Sequence, residues 1–389
     1  MSPARRSPRR LALLGATGSI GRQVCDLVER NPERFRLHAL IAGHDQAALD
    51  AAGRRHPGAH RLLAHPSGEP EDRAARAVAE AVQDPDVDLV IVAAMGAAAL
   101  APTLAALEAG KDVAIATKEV LVMAGELVRE RMRRHGTRLL PIDSEHSAIW
   151  QCLWGEQRES IGRLILTGSG GPFLRRPVDS LAAATVEEAL AHPRWKMGPK
   201  ITIDSATMMN KGLEIIEAHF LFDVEYDRIQ VLVHPQSVVH SMVEFRDGSV
   251  KAQLGIPDMH LPIAVALSYP ERIEAVVAPP DLAAIGRLDF EALDPGRFPA
   301  VALARDAGRR GGTATAVLNA ANEEAVALFL EGRIGFNRVV GLVEAALSSM
   351  PGFGGHALEE VLSADAWARR HVRELASADR RASAGKLPA

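Results

Sequence analysis

The stretch LALLGATGSIG, Leu11 to Gly21, decides the fold. An apolar run without polar alternation is a strand buried on both faces. Glycines at 15, 18 and 21 follow it and open a helical pattern. In that setting backbone can approach a diphosphate while the N–H groups of the helix start point at it. The spacing GxxGxxG is a variant of the dinucleotide fingerprint, and a strand before with a helix after carries more weight than the letters alone.

Working outward, further strands are expected at 36–41, 89–93, 113–116 and 138–142. Helical patterns lie near 19–30, 70–83, 98–109 and 119–135. Alternating buried strands and helices make a parallel sheet, so residues 1–143 read as a doubly wound (Rossmann-like) α/β nucleotide-binding domain. Residues 144–270 read as a central α+β domain: RLILTG is a strand, and VVHSMVEFRDGSVKAQLG holds an Asp-Gly turn between alternating runs, the mark of an antiparallel hairpin. The proline-rich residues 271–295 read as a linker. Three amphipathic segments within 296–376 form a C-terminal helical bundle, and 377–389 a disordered tail.

The bulk numbers bound the function. The chain has 389 residues, is 47% hydrophobic and 24% charged, and carries a net charge of −4. That is an ordinary globular composition without a nucleic-acid footprint. Two cysteines, Cys25 and Cys152, are too few for a disulfide framework and fit a reducing cytoplasm. The basic start lacks the apolar core of a secretion signal, and no run reaches the length of a membrane span. A cytoplasmic protein with no membrane partner is expected.

Three groups of residues carry chemistry. In PIDSEHSAIW (Pro141 to Trp150) Asp143 and Glu145 are two apart. In extended backbone both would face one spot, which suits a hard cation or a solvated surface. Downstream, Asn210, Lys211 and Glu214 fall on one helix edge, and Glu214 could add a third carboxylate. The loop LTGSGGPF offers Ser169 and backbone donors, and DSATMMNK offers Ser205, Asn210 and Lys211, a set suited to a phosphate monoester. Between them HPRWKMG, with His192, Trp195 and Met197, reads as a lid. At the end of the second strand, LIAGHDQAAL has no acid immediately after the strand. This favours a 2′-phosphorylated nicotinamide cofactor with Gly43 and His44 beside it.

The blocks GATGSIG, ATKEVLV, IDSEHSAI, TGSGGPF, HPRWKMG, IDSATMMNKGLE, HPQSVVHSMVEF and PDMHLPI occur in the order of the 1-deoxy-D-xylulose-5-phosphate reductoisomerase family, which the chain resembles from about residue 10 to about 375. The resemblance implies isomerisation of 1-deoxy-D-xylulose 5-phosphate and NADPH reduction to 2-C-methyl-D-erythritol 4-phosphate, in non-mevalonate isoprenoid synthesis, by a fosmidomycin-sensitive homodimer. It implies Asp143, Glu145 and Glu214 as ligands of Mg2+ or Mn2+, with Co2+ a further ion of the same class. Lys118, Glu145 and His192 are implied as catalytic. Ser144, Ser169, His192, Trp195, Met197, Ser205, Asn210, Lys211 and His240 are implied around the substrate. Gly15, Thr17, Gly18, Ser19, Ile20, Gly21, Gly43, His44, Lys118 and Glu119 are implied around NADPH. His44 stands where the family commonly has lysine, which puts the grip on the 2′-phosphate in question. Two rival readings are a semialdehyde dehydrogenase using Cys152 and a nucleotide sensor with a dead site.

Overall fold

Strand β1 (Arg9–Leu14) is buried over its last four residues, and Gly15 turns the chain at φ +91° into helix α1 (Ser19–Arg30). The computed structural model describes residues 7–67, 70–195, 197–274, 276–353 and 355–384. A Cβ on Gly15 would lie 2.4 Å from Ala93 O, and one on Gly21 2.2 Å from Gly15 O. Both glycines are therefore demanded by backbone packing. Gly18 differs: its added Cβ would meet nothing nearer than Gly15 O at 3.3 Å, and the residue is exposed.

Around β1 the first sheet is built from β2 (Phe35–Ala42), β3 (His60–Leu63), β4 (Leu89–Val92), β5 (Asp112–Ile115) and β6 (Leu139–Pro141). All pairs are parallel, in the order β3-β2-β1-β4-β5-β6, the doubly wound arrangement. Its helices are α2 (Gln46–Arg55), α3 (Glu71–Gln83), α4 (Leu100–Glu108) and α5 (Glu119–His135), the last kinked at Ala124. Strand β3 and helix α2 go beyond the sequence reading. The strand is a four-residue edge whose first two side chains are exposed, and α2 contains Gly53, so neither shows a strong period.

Two compact units emerge. The first holds the described residues up to Val120, with Val128–Trp154 and Asp258–Pro280. It thus includes α6 (Ser144–Cys152) and, about a hundred residues further along the chain, α10 (His260–Ser268). This departs from the expected boundaries at 143 and 270. The reason is apolar burial: Ile263, Ala264, Ala266 and Leu267 join Leu11, Leu13, Val24 and Leu27 in one core cluster.

The second unit holds the described residues of Leu121–Leu127, Gly155–Pro257 and the stretch from Asp281 on. Its sheet has the order β10-β9-β7-β8-β11, from β7 (Ile161–Gly168), β8 (Ile229–Val233), β9 (Val239–Phe245), β10 (Val250–Leu254) and β11 (Glu291–Ala292). The Asp-Gly hairpin is β9–β10, antiparallel as its turn demands. Helices α7 (Val186–Leu190), α8 (Pro199–Thr207) and α9 (Met209–Phe222) belong to it, with a short α11 (Leu282–Ile285). The C-terminal helices are α12 (Pro299–Arg310), α13 (Ala314–Leu330), α14 (Phe336–Ser349) and α15 (Leu358–Ala384). Two expectations are corrected here. The proline-rich linker contributes β11, which pairs with β8. The tail continues α15 as far as Ala384, with Asp379 paired to Arg338 and Ser377 Oγ donating to Arg373 O; residues 385–389 lie outside the described residues.

Gly21→Ala is expected to lower stability by about 2 kcal/mol, the scale of overpacking a tight site, and Gly15→Ala by at least as much because φ is also strained. Gly18→Ala, with normal φ, should cost under about 1 kcal/mol, the scale of an N-cap change. Urea unfolding of the three variants checks the ranking.

Candidate active site

Parallel pairing of β5 with β6 brings their carboxyl ends side by side, where open α/β sheets hold their ligands. Lys118 follows β5 as the residue preceding α5, and Asp143 follows β6 as the residue preceding α6. Their side chains meet, Nζ to Oδ2, at 2.6 Å. Burial opposes the Asp143 charge, but the Lys118 ammonium and His146 more than offset it, so the carboxyl is held well below its usual range. Carboxylate oxygens of Asp143 and Glu145 lie within 4.8 Å of each other. Ser144 Oγ donates to Glu145 Oε2 at 2.5 Å.

The two acids do converge, but by a different backbone than expected. Only Leu139–Pro141 is strand; Glu145 stands in the first turn of α6, with Asp143 at the N-cap position and its side chain turned to Lys118 instead of to the helix N–H groups. A carboxylate in a first helical turn is favoured by the unsatisfied N–H groups there. The helical register also explains His146, which the sequence reading passed over. One turn from Asp143 and fully buried, its Nδ1 is 3.4 Å from Asp143 Oδ2. Reading 143–146 as i and i+3 of a helix would have found it.

Along the same carboxyl edge of the sheet, after β1, Gly18 precedes α1 without a side-chain cap, and the first turn of α1 has no acidic residue. Its orphan N–H groups are suited to an anion. Thr17 and Ile20 are half-buried and Ser19 is exposed on this loop; Gly43 is half-buried after β2. His44 is exposed and stacks on His65, ring centroids 4.8 Å apart. Glu119 starts α5 beside Lys118 and is half-buried.

In the second unit, α9 carries a local network. Asn210 Nδ2 donates to Glu214 Oε1 at 2.5 Å and Lys211 Nζ to Oε2 at 2.6 Å, with Glu214 fully buried. A Cβ on Gly168 would lie 2.9 Å from Lys211 Cε, so the glycine at the end of β7 makes room for the lysine stem. Ser205 is half-buried on α8, and Met208 at φ +60° turns the chain from α8 into α9.

His192 organises the loop above. Its Nδ1 accepts from the backbone N–H of Arg194 at 3.2 Å and Trp195 at 2.9 Å. The neutral ring therefore carries its proton on Nε2, which faces Ser169 Oγ at 3.0 Å. Ser169 Oγ also accepts from Gly171 N at 3.2 Å, leaving the hydroxyl proton to donate outward. Burial, then the Lys211 charge, lowers the His192 pKa to about 4. Arg194 Nε donates to Pro235 O at 3.2 Å, and the Trp195 ring lies 6.1 Å from that of His240, which is buried on β9. Met197 is half-buried in the same segment. Cys152 is buried in the last turn of α6, whereas a dehydrogenase nucleophile would have to be reached by substrate.

A doubly wound sheet with a glycine-lined turn, and charged side chains gathered at its strand ends, is the layout that pyridine-nucleotide-dependent oxidoreductases use. Family models described as 1-deoxy-D-xylulose 5-phosphate reductoisomerase match residues 11–66 and 70–125, and those of its C-terminal domains match 139–222 and 254–371. The chain belongs to this reductoisomerase family. A relative of that name from Ralstonia nicotianae is 51% identical over 387 residues, covering 95% of this chain and 98% of its own. One from Rhodospirillum centenum is 52% identical, covering 96% and 95%. Among solved structures, the Zymomonas mobilis reductoisomerase in complex with NADPH has a TM-score of 0.88 at 43% identity, covering 95% and 99%. Another reductoisomerase, in complex with NADPH, fosmidomycin and magnesium, has a TM-score of 0.88 at 41% identity, covering 95% and 98%.

Because the folded pKa of His192 lies below its ordinary 6.5, the unfolded chain binds the extra proton first as pH falls. The fold should lose stability from this residue between pH 6.5 and about 4, and none above 6.5. In an NMR titration the His192 ring should stay neutral at pH 6, and Lys211→Met should raise its midpoint. A midpoint near 6.5 would remove the assignment.

Proposed function

We propose that the protein rearranges 1-deoxy-D-xylulose 5-phosphate and reduces the product to 2-C-methyl-D-erythritol 4-phosphate, using NADPH and a divalent metal, in non-mevalonate isoprenoid synthesis. The observation that carries this is the roughly half-identical sequence of reductoisomerases along nearly the whole chain. No helix among the described residues is long and apolar enough to cross a membrane. The protein works as a cytoplasmic homodimer in this reading.

The donor set suits the metal. Asp143 is held ionised, and its oxygens approach those of Glu145, as hard-cation ligands require. Asp143, Glu145 and Glu214 are the proposed ligands of Mg2+ or Mn2+. A cation held by these residues would supply polarisation of the substrate carbonyl and stabilisation of oxygen charge, and NADPH would supply the hydride.

The remaining work falls to the chain. Lys118 Nζ donates a hydrogen bond to the substrate carbonyl oxygen, and Glu145 takes the proton of the neighbouring hydroxyl, whose oxygen becomes the new carbonyl as one carbon–carbon bond breaks and another forms; that proton ends on the former carbonyl oxygen. Ser144 orients the hydroxyl end. Ser169, with its proton free to donate, joins Ser205, Asn210 and Lys211 on the phosphate, and His192 keeps Ser169 in that state. Trp195 and Met197, backed by His240, exclude water. Gripping the phosphate remotely holds the fragments together during rearrangement. For the cofactor, Gly15, Thr17, Gly18, Ser19, Ile20 and Gly21 bring backbone to the diphosphate. Gly43 and His44 lie at the adenosine ribose, and Lys118 and Glu119 at the nicotinamide end.

Purified protein with 1-deoxy-D-xylulose 5-phosphate and Mg2+ should consume NADPH absorbance; no loss with either NADPH or NADH would overturn the reading. Glu214→Gln should cut metal-dependent turnover roughly 100-fold, the upper range for disturbing a metal shell, with NADPH affinity retained. Calorimetric titration of His44→Lys should show tighter NADPH and unchanged NADH; an equal response of both cofactors would take His44 away from the 2′-phosphate.

A further inference from the structure

We infer that Asn322, on the C-terminal helix α13, is a positioning residue for the anion-binding helix α8 and acts through Asp204. The inference rests on the proposed phosphate role of Ser205, Asn210 and Lys211. Helices α8 and α13 pack together within the second unit. Asn322 Nδ2 donates to Asp204 Oδ1 at 2.7 Å, with Asp204 1% and Asn322 0% exposed. One turn earlier on α8, Lys200 Nζ lies 2.8 Å from the other oxygen, Oδ2. One oxygen of the carboxylate is thus only ion-paired within its own helix, without hydrogen-bond geometry, and the other is hydrogen-bonded from α13.

That link sets the rotation of α8. Ser205 is the next residue, roughly 100° round the helix and half-buried where Asp204 is buried. On its carbonyl side, a Cβ on Gly171 would lie 2.6 Å from Ser205 O, so the loop bearing Ser169 rests directly on this backbone. Through Met208 the same helix leads into Asn210 and Lys211. A turn of α8 therefore displaces the phosphate donors as a group.

Stability alone does not explain the pair. Asn322 Oδ1 has no hydrogen-bond partner among the described residues, a burial cost that an apolar side chain would avoid. Buried charged networks are commonly replaced by well-packed apolar groups without loss of stability. What an apolar pair could not supply is a directional contact from α13 to one oxygen of Asp204.

The test uses the full chain with NADPH and Mg2+. Asn322→Leu should raise both KM for 1-deoxy-D-xylulose 5-phosphate and the Kd for inorganic phosphate about tenfold, the scale of one misplaced charge-assisted hydrogen bond. NADPH affinity should not change. Exchanging the partners, as Asp204→Asn with Asn322→Asp, keeps the bond and should restore most of both losses. A lowered melting temperature with normal KM and normal phosphate affinity would overturn the inference, as would an exchanged pair no better than Asn322→Leu. Should Asn322→Leu not fold, Asp204→Asn alone, which keeps the shape and weakens the bond, should move KM and phosphate affinity the same way; unchanged values would overturn it. Wild-type protein without turnover would instead defeat the proposed reaction, while phosphate binding still decides the role of Asn322.

Discussion

The buried pair of Lys118 and Asp143 is the contact on which the catalytic reading of the first unit depends. Bringing two charges out of water is expensive, and their attraction offsets that only when geometry is good. Here the geometry follows from topology: two adjacent parallel strands end at the same edge, and each hands one charged residue to the start of a helix. The lysine keeps the acid ionised against burial. An ionised, buried carboxylate with a second acid close by is a poor device for stability and a suitable one for a hard cation and a polarised oxygen.

The second unit solves the complementary problem of presenting donors rather than acceptors. Its devices are local. Gly168 clears space for the Lys211 stem, a left-handed Met208 turns one helix into the next, and His192 accepts two backbone N–H groups so that its remaining proton faces Ser169. The low pKa of His192 and its hydrogen bonds describe the same state, since a charged ring would lose its acceptor and release the turn that carries Trp195. Neutrality of this histidine is thus part of the loop's structure.

Much of this was legible in residue patterns, and the failures have physical causes. Buried strands without alternation, the glycine spacing and the Asp-Gly hairpin depend on local chemistry, so β1, β4, β5 and the β9–β10 pair stand where expected. Strand β3 is a short exposed edge, and β11 lies among prolines; both exist because a neighbour offers a free edge, which no local pattern reports. Helix α10 joins the first core from more than a hundred residues along the chain. Asp143 and Glu145 lie close together, but through a helical turn and not the extended alternation expected. The error hid His146, visible only at helical spacing.

Helix α13 shows how far such reading can be pushed. Its sequence ATAVLNAANEEAVALFL is apolar on most of its surface, so an amphipathic interpretation assigns its polar residues to solvent. Asn319 and Asn322 are instead fully buried. Three apart, they share one helix side, and a buried amide in an otherwise apolar helix calls for a partner. For Asn322 that partner is Asp204, in the most recognisable motif of the chain. The signal was present as a conflict between composition and polarity. Identifying it required the long-range contact that turns a costly amide into a directional constraint.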